Sequence, residues 1–280
     1  MTRSRPLVAI IGAGAAGSSL ARSLDVAGWP VALFTRASLA TTPQVLATAP
    51  VVVLAVRDVQ IEPLAATLAA IGDWQGRIAM HLSGSQPSSL LASLAHAGAA
   101  ACSVHPLVSL GPAPDGSPLP IPPGTPFFAE GDAAALAVAR DVAVAIGGTF
   151  HEIPSEAKAL YHAAATLAGN LVAILHAAGG EALRSAGVPD AERALLPLAR
   201  ASVEAVALHG GLAGLSGPLV RGDVETLAAN IEALRTVSPA LLRAHAAVSL
   251  LGIEMLAEAG SAPERRVEME ALLRAVLSVR

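Results

Sequence analysis

A glycine-rich turn directly after an apolar run constrains the fold of this chain more than any other feature. Residues 7–11 are apolar, glycines follow in the spacing G-x-G-x-x-G, and a helix-forming stretch comes next. The first glycine allows a tight turn, the second lets the backbone approach a ligand, and the third lets the helix pack on the strand. Free N–H groups at the helix start attract phosphate. The pattern predicts a dinucleotide pyrophosphate site, rather than a plain tight turn, at Gly12, Ala13, Gly14, Ala15, Ala16 and Gly17.

The end of the second predicted strand, residues 31–34, indicates which dinucleotide binds. Where NAD is bound, an Asp or Glu about 20 residues past the glycines accepts a hydrogen bond from the ribose 2′-hydroxyl. This chain has Thr35, Arg36 and Ser38 in that place and no acidic residue. A guanidinium between two hydroxyls matches a 2′-phosphate in charge and geometry. We therefore expect NADP(H), the alternative being that Arg36 is only a solvated loop cation.

Composition limits the class of protein. The chain has 280 residues, of which 53% are hydrophobic and 14% charged, enough for two globular domains. Its net charge of −4 and few aromatic residues argue against nucleic acid as a partner. Mean hydropathy is high because of alanine, but no uninterrupted apolar stretch has the length of a membrane span, so no membrane partner is expected. The single cysteine, Cys102, excludes a disulfide within the chain and a cysteine-based zinc site, no metal is expected, and a cytoplasmic location fits.

Strand-like and helix-like segments alternate along the first half of the chain. Strands are predicted at residues 7–11, 31–34, 51–56, 77–82, 101–104, 126–129 and 149–153. The alternation predicts an α/β domain with a doubly wound parallel sheet, the Rossmann arrangement, over residues 1–153. Residues 154–280 show only helical periodicity and predict an all-α domain for substrate binding and dimerisation. Its helices are expected at residues 155–186, 190–208, 223–234, 239–259 and 263–279.

Lys158 is the only lysine among 18 basic residues, so it marks a place where a compact ammonium is required. Helical spacing puts Tyr161, His162 and Asn170 on the same side of its helix. Reduction of C=O or C=N builds negative charge on the heteroatom, which a positioned ammonium stabilises and protonates. We expect Lys158 to be the catalytic acid and His162 to orient it or the substrate. The alternative is a surface lysine beside a structural histidine.

Two further segments carry candidate side chains. His105 follows the predicted strand at residues 101–104, at the carboxyl edge where open α/β sheets bind ligands, so it either contacts nicotinamide or substrate or is structural. Arg221 stands in a turn-rich stretch before Asp223, the expected cap of the next helix. It either binds a substrate carboxylate, with Tyr161 also on the substrate side, or pairs with Asp223 and fixes the loop.

Six segments together resemble a known family, namely residues 12–17, 54–58, 81–85, 105–107, 158–165 and 217–223. They resemble Rossmann-like proteins with a C-terminal domain of unknown function 2520, over nearly the whole chain. Those proteins are similar in plan to 6-phosphogluconate dehydrogenase, hydroxyisobutyrate dehydrogenase, ketopantoate reductase and pyrroline-carboxylate reductase. The resemblance implies an NADP-dependent oxidoreductase without an agreed substrate, dimeric through its helical domain. It adds Ala55, Val56 and Ser83 to the expected cofactor contacts.

The chain departs from the pattern of these relatives at two positions. In the hydroxyisobutyrate dehydrogenase branch an asparagine follows the catalytic lysine by one turn, whereas His162 stands there in this chain. Asn170, a further catalytic candidate, follows a glycine where a serine-asparagine pair is expected. Residues 105–107 also resemble the His-Pro-Met segment of prephenate dehydrogenases.

The leading prediction is hydride transfer from NADPH to C=O or C=N of a small carboxylated substrate bound between the domains. The alternatives are a prephenate dehydrogenase-like enzyme and a non-catalytic NADP-binding sensor. A homodimer is expected through the apolar faces of residues 224–234 and 267–277, which exceed what one small domain can cover.

Overall fold

The computed structural model describes residues 5–35, 38 and 43–278. Within them, seven strands form one sheet in the order β2-β1-β3-β4-β5-β6-β7. The strands are β1 Val8–Ile11, β2 Val31–Phe34, β3 Val51–Leu54, β4 Ile78–His81, β5 Ala100–Pro106, β6 Pro126–Gly131 and β7 Thr149–Glu152. Each strand predicted from the sequence is present. The Rossmann arrangement is confirmed.

One strand pair departs from the predicted parallel sheet, because β6 runs antiparallel to β5. The chain leaves β5 at the carboxyl edge and reaches Pro126 without an intervening helix, so it re-enters the sheet at the edge it left. This connection is anchored where the Ile121 N–H donates to Ser23 Oγ at 2.8 Å. The remaining neighbouring pairs are parallel.

Helices cover both faces of the sheet and bury its apolar strands. On one face Leu24 of α1 (Ala15–Val26) and Ala139 of α5 (Ala133–Ala145) join the core. On the other, Ile61 of α3 (Asp58–Ala69) and Leu94 of α4 (Ala92–His96) do so. The short helix α2 (Pro43–Thr48) precedes β3. Strand β3 is buried along its whole length, which explains its continuous run of apolar residues.

The helix that follows the sheet is composite. A 3-10 turn at Ser155–Ala157 leads into α6 (Lys158–Thr166), a π-helical turn follows at Leu167–Leu171, and α7 covers Val172–Ser185. Such π turns are rare in proteins overall, and those that occur are often found at functional sites. The first compact unit of the chain extends through Gly169, beyond the predicted boundary at residue 153, because α6 packs its first turns onto the sheet.

The second unit begins at Asn170 and contains helices throughout its described part. They are α7, α8 (Ala191–His209), α9 (Pro218–Arg221), α10 (Val224–Val237), α11 (Pro239–Glu258) and α12 (Arg266–Ser278). Its core joins α10, α11 and α12 through residues such as Leu227, Ile253 and Leu273. The apolar faces that suggested a dimer through residues 224–234 and 267–277 are therefore largely covered within this unit.

Two helical stretches, Ser155–Ser185 and Pro239–Glu258, are long and apolar enough to cross a membrane by length and composition alone. No such segment was expected from the sequence, because neither stretch is an uninterrupted apolar run. The second stretch is α11, which supplies Leu242, Ala246 and Ile253 to the core of its unit. The first contains Lys158, whose ammonium binds the sheet.

Candidate functional site

The glycine turn after β1 leaves no room for side chains at two positions and open space at the third. A Cβ on Gly12, whose φ is +116°, would lie 2.3 Å from the Ala55 carbonyl oxygen. One on Gly17 would lie 1.9 Å from the Gly12 carbonyl oxygen, whereas nothing lies within 4 Å at Gly14. Gly14 caps α1 without a side-chain hydrogen bond, so the first N–H groups of the helix are left for a ligand. This cradle fits a pyrophosphate.

A cavity of about 320 Å³ adjoins this turn. Its walls come from the ends of β1 and β3 and from one side of α3, and they are Ile11, Gly12, Val56, Val59, Gln60, Pro63, Leu64 and Thr67. The mostly apolar lining fits a flat ring such as that of an adenosine. Val56 and Gly12 were predicted from the sequence, whereas the α3 residues were missed. Val59 in this wall is 80% exposed, a property that the sequence does not show.

The residues predicted to select the nucleotide lie beside β2. The Thr35 N–H donates to Ser38 Oγ at 2.8 Å, and the Ser38 N–H donates to Thr35 Oγ1 at 3.2 Å. The two hydroxyls therefore close a turn between them. Arg36 lies outside the described residues, so its contact with a 2′-phosphate stays a prediction.

Lys158 lies buried at the carboxyl edge of the sheet, with 2% of its surface exposed. Its Nζ donates to Ser103 Oγ at 2.6 Å and to the Ser83 carbonyl oxygen at 2.9 Å. The third ammonium proton has no partner in the part of the chain that the structure describes. Burial lowers the Lys158 pKa to about 8, against the opposing attraction of Glu130 and Asp58. The structure therefore places Lys158, Ser83 and Ser103 together.

A row of rings crosses the sheet beside Lys158. His105, Phe128 and His151 are register partners on β5, β6 and β7. Tyr161 of α6 lies over this row, with its ring 4.8 Å from that of Phe128 and its hydroxyl 2.7 Å from His105 Nδ1. Burial raises the Tyr161 pKa to about 12. Burial, aided by Lys158 and His162, lowers the His105 pKa to about 4, so His105 is neutral at neutral pH.

Gly84 lies between two imidazole rings. A Cβ there would be 2.9 Å from His162 Nδ1 and 3.1 Å from His105 Nε2. Gly84 is buried whereas His162 is exposed. The structure therefore brings His162, His105 and Lys158 around one short segment, residues 83–84, and Tyr161 contacts His105.

Two buried polar residues that were not predicted from the sequence, His81 and Glu130, hold residues 83–88 in place. The Ser83 N–H donates to His81 Nδ1 at 3.2 Å, and His81 Nε2 bonds the Pro87 carbonyl oxygen at 3.1 Å. Glu130 accepts hydrogen bonds from the N–H and the hydroxyl of Ser88 at 2.6 and 2.8 Å. Burial lowers the His81 pKa to about 4, so the ring stays neutral. The signal in the sequence was a histidine at the end of a buried strand.

Residues 125–250 match the profile of a family described as a domain of unknown function (DUF2520). This stretch is a DUF2520 domain. It begins at the edge of the sheet with β6 and extends into α11, so it contains Phe128, Glu130, Lys158 and Tyr161. No curated protein sequence matches the chain.

Solved structures similar to the chain share its fold. A candidate NADP oxidoreductase from Bacteroides fragilis, 19% identical, has a TM-score of 0.71 and covers 88% of this chain and 97% of its own. An imine reductase from Streptomyces aurantiacus, 18% identical, has a TM-score of 0.63 and coverages of 95% and 99%. A reductive aminase from Aspergillus terreus, solved with NADPH4, cyclohexanone and allyl amine, is 19% identical, with a TM-score of 0.60 and coverages of 96% and 100%. These likenesses show a Rossmann domain followed by a helical domain.

The remaining predicted site residues lie in the part of the DUF2520 domain that belongs to the second unit. Asn170 is in the π-helical turn, and Arg221 ends α9. The Asp223 carboxylate caps α10, accepting from the Thr226 N–H at 3.0 Å and from its hydroxyl at 2.8 Å. No Arg221–Asp223 ion pair occurs among the described residues. The catalytic role of Asn170 and the substrate-binding role of Arg221 stay predictions.

Proposed function

We propose that this protein is an NADP(H)-dependent reductase that acts on a C=O or C=N group of a small, carboxylated substrate. One observation carries the proposal: the glycine cradle at Gly12–Gly17 and the Lys158 ammonium lie at the same carboxyl edge of one sheet. Ligands of open α/β sheets bind at that edge. The reduced nucleotide supplies the hydride when it is bound.

The residues at the edge supply the other requirements of a reduction. The Lys158 ammonium, with its pKa lowered to about 8, is mostly protonated at neutral pH yet more acidic than an ordinary lysine. Its third proton is the one left for the heteroatom of the substrate. Ser83 and Ser103 hold the amine in place, so that little reorganisation is needed when charge develops. Arg221 is the candidate partner for a substrate carboxylate.

Binding of the nucleotide is tested at Gly14. Its φ is −77° and nothing lies within 4 Å of its Cβ position, so Gly14→Ala leaves the fold undisturbed and fills the space for the pyrophosphate. The expected result is a tenfold or larger increase in the Kd of NADPH, with the unliganded melting temperature unchanged. Gly111→Ala, at another glycine with free space and ordinary φ, is the control. A wild-type protein that binds neither NADPH nor NADH in a fluorescence titration overturns the proposal.

Catalysis is separated from sensing at Lys158. We expect Lys158→Met, which keeps the length of the side chain, to abolish turnover of a panel of keto acids and imines and to leave the Kd of NADPH nearly unchanged. A sensor carries out no turnover and does not need the amine. A wild-type protein that binds NADPH but reduces no member of the panel supports a sensor instead.

A cytoplasmic location is part of the proposal, since the buried thiol of Cys102 is compatible with a reducing cytoplasm.

We also propose that a second copy of the chain binds the apolar face of α7 and α8. These helices pack side by side in the second unit, yet many of their large apolar residues are at least 37% exposed, which is typical of an interface. They are Val172, Ile174, Leu175, Leu196, Leu198, Val203, Val206 and Leu208. Light scattering at micromolar concentration is expected to give a dimer that Leu198→Glu dissociates and that Val267→Glu, at an exposed α12 residue, leaves intact. A monomeric wild type contradicts the proposal.

A further inference from the structure

We propose that Tyr161 fixes His105 as the tautomer with its proton on Nε2, and that this N–H donates a hydrogen bond to the carbonyl oxygen of the substrate. The assignment to a carbonyl oxygen rests on the proposed reductase function. The assignment of the tautomer does not, because it follows from contacts within the first unit. Tyr161 then acts as a positioning residue and His105 as a catalytic residue.

The contact between Tyr161 and His105 is the first step. At 2.7 Å, one of the two atoms must donate to the other, since both have lone pairs and only one proton fits between them. If Nδ1–H were the donor, the tyrosine proton would have no other partner in the described part of the chain. If the hydroxyl donates, its proton is used and Nδ1 is the acceptor. Either direction leaves one donor to solvent, but a separation of 2.7 Å is usual for an O–H donor and short for an N–H donor. The hydroxyl is therefore the donor, and the ring proton is on Nε2.

The protonation states of the two groups agree with this arrangement. Burial raises the pKa of Tyr161, which keeps its hydroxyl proton in place. Burial and the neighbouring Lys158 and His162 lower the pKa of His105, with Asp58 as the opposing charge, so the ring does not gain a second proton. A neutral imidazole has one donor and one acceptor, and Tyr161 occupies the acceptor.

The remaining nitrogen of His105 is open to a ligand. Nε2 has no hydrogen-bond partner among the described residues, and it does not belong to their buried, unpartnered atoms, so it reaches solvent. It faces Gly84, where an added Cβ would lie 3.1 Å from Nε2 and crowd it, so the glycine keeps this nitrogen uncovered. Phe128 keeps the supporting Tyr161 ring in place at 4.8 Å. The Nε2–H is therefore a fixed donor beside the Lys158 ammonium.

A donor next to a cation selects the kind of group that is reduced. A carbonyl oxygen accepts a hydrogen bond and becomes more negative during hydride transfer, so both His105 and Lys158 stabilise its transition state. An imine is reduced as its protonated form, which carries an N–H and a positive charge. The N–H of the iminium finds no acceptor in His105 Nε2–H, and the Lys158 ammonium repels its positive charge. The site therefore favours ketones or aldehydes over iminium ions. The imidazole keeps its proton throughout.

The tautomer is measured on the unliganded protein by long-range proton–nitrogen correlation NMR of ¹⁵N-histidine-labelled samples, with His105→Gln to assign the signals. We expect a protonated Nε2 and an unprotonated Nδ1 at His105 from neutral pH down to about pH 5. A protonated Nδ1 or a mixture of tautomers in the wild type overturns the proposal. This measurement needs no variant of Tyr161 that folds.

Tyr161→Phe removes the hydroxyl and keeps the ring on Phe128. We expect it to give a mixture of His105 tautomers, whereas Thr149→Val, which removes a hydroxyl from the exposed His151, leaves the His105 signals unchanged. An unchanged tautomer in Tyr161→Phe overturns the role of Tyr161.

Kinetic measurements test the hydrogen bond from His105 to the carbonyl oxygen of the substrate. We expect His105→Leu to lower kcat for a ketone about 100-fold, His105→Gln to recover part of this loss through its amide N–H, and the Kd of NADPH to change in neither. Wild-type protein is expected to reduce a ketone with at least tenfold higher kcat/KM than the imine made from it. A preference for the imine overturns the assignment to a carbonyl while the reductase function stands. Failure to bind NADPH overturns the reductase function and leaves the tautomer measurement valid.

Discussion

Ser103 Oγ accepts a hydrogen bond from Lys158 Nζ at 2.6 Å and donates its own proton to the Ser83 carbonyl oxygen at 3.2 Å. The ammonium itself also donates to that carbonyl at 2.9 Å. The three groups form a closed set of hydrogen bonds between β5, the segment after β4 and α6. A buried ammonium without such partners would lose its proton or unfold the site, so the set explains how the lysine stays charged.

The lowered pKa of Lys158 predicts a dependence of stability on pH. The pKa is about 8 in the folded chain and 10.5 for an ordinary lysine, as in the unfolded chain, so the unfolded state binds more protons between those two pH values. The free energy of unfolding therefore rises by this contribution from about pH 8 to pH 10.5, by on the order of 3 kcal/mol. Urea unfolding at about pH 7.5 and about pH 10 is expected to show this rise in the wild type relative to Lys158→Met. An equal change in the free energy of unfolding of both proteins between these pH values contradicts the prediction.

Ser103→Ala removes the shortest hydrogen bond of the Lys158 ammonium. We expect a further decrease in the Lys158 pKa, because the charged form loses a partner, and a loss of about 1.5–3 kcal/mol of stability. The chain has one lysine, so ¹³C-lysine labelling gives a single side-chain signal that reports the titration directly. Ser89→Ala, at a serine outside the site, serves as the control. An unchanged titration in Ser103→Ala shows that the hydrogen bond does not hold the charge.

Glu130→Gln is expected to lower the Lys158 pKa as well, through charge rather than contact. Glu130 raises that pKa by attraction. Each of its two carboxylate oxygens also accepts one hydrogen bond from Ser88, whereas a glutamine amide has only one acceptor oxygen. Ser88→Ala removes one of these bonds and keeps the charge. The lysine signal is therefore expected to shift in Glu130→Gln and to stay in Ser88→Ala. Equal shifts in both variants assign the effect to loop distortion.

The sequence predicted much of the fold because the central strands are buried on both faces. Continuous apolar runs such as residues 51–54 can satisfy that environment, and the glycine spacing fixed where the first strand ends. The direction of β6 was not predictable in the same way, since its residues read alike in a parallel and an antiparallel pair. The length of the connection after β5, without a helix, was the only indication.

The sequence located the helical half of the site better than the strand half. Lys158 was found because it is the single lysine, and Tyr161 and His162 followed from helical spacing. His81 and Glu130 were missed because a buried polar residue shows its role only through its partners, which come from distant parts of the chain. The helix faces expected to form a dimer, on α10 and α12, pack with α11 in the core of the second unit, and the dimer itself stays a prediction.

Gly84→Ala tests whether His105 is held rigidly beside the site. The new Cβ would come within 2.9 Å of His162 Nδ1 and 3.1 Å of His105 Nε2. His162 is exposed and can move away, whereas His105 is fixed by Tyr161 at 2.7 Å, so the cost should come mainly from His105. We expect a loss of about 1–3 kcal/mol in urea unfolding. In a double-mutant cycle, His162→Ala is expected to recover less than half of it. Full recovery would mean that His105 yields freely, and a fixed Nε2–H donor would then be untenable.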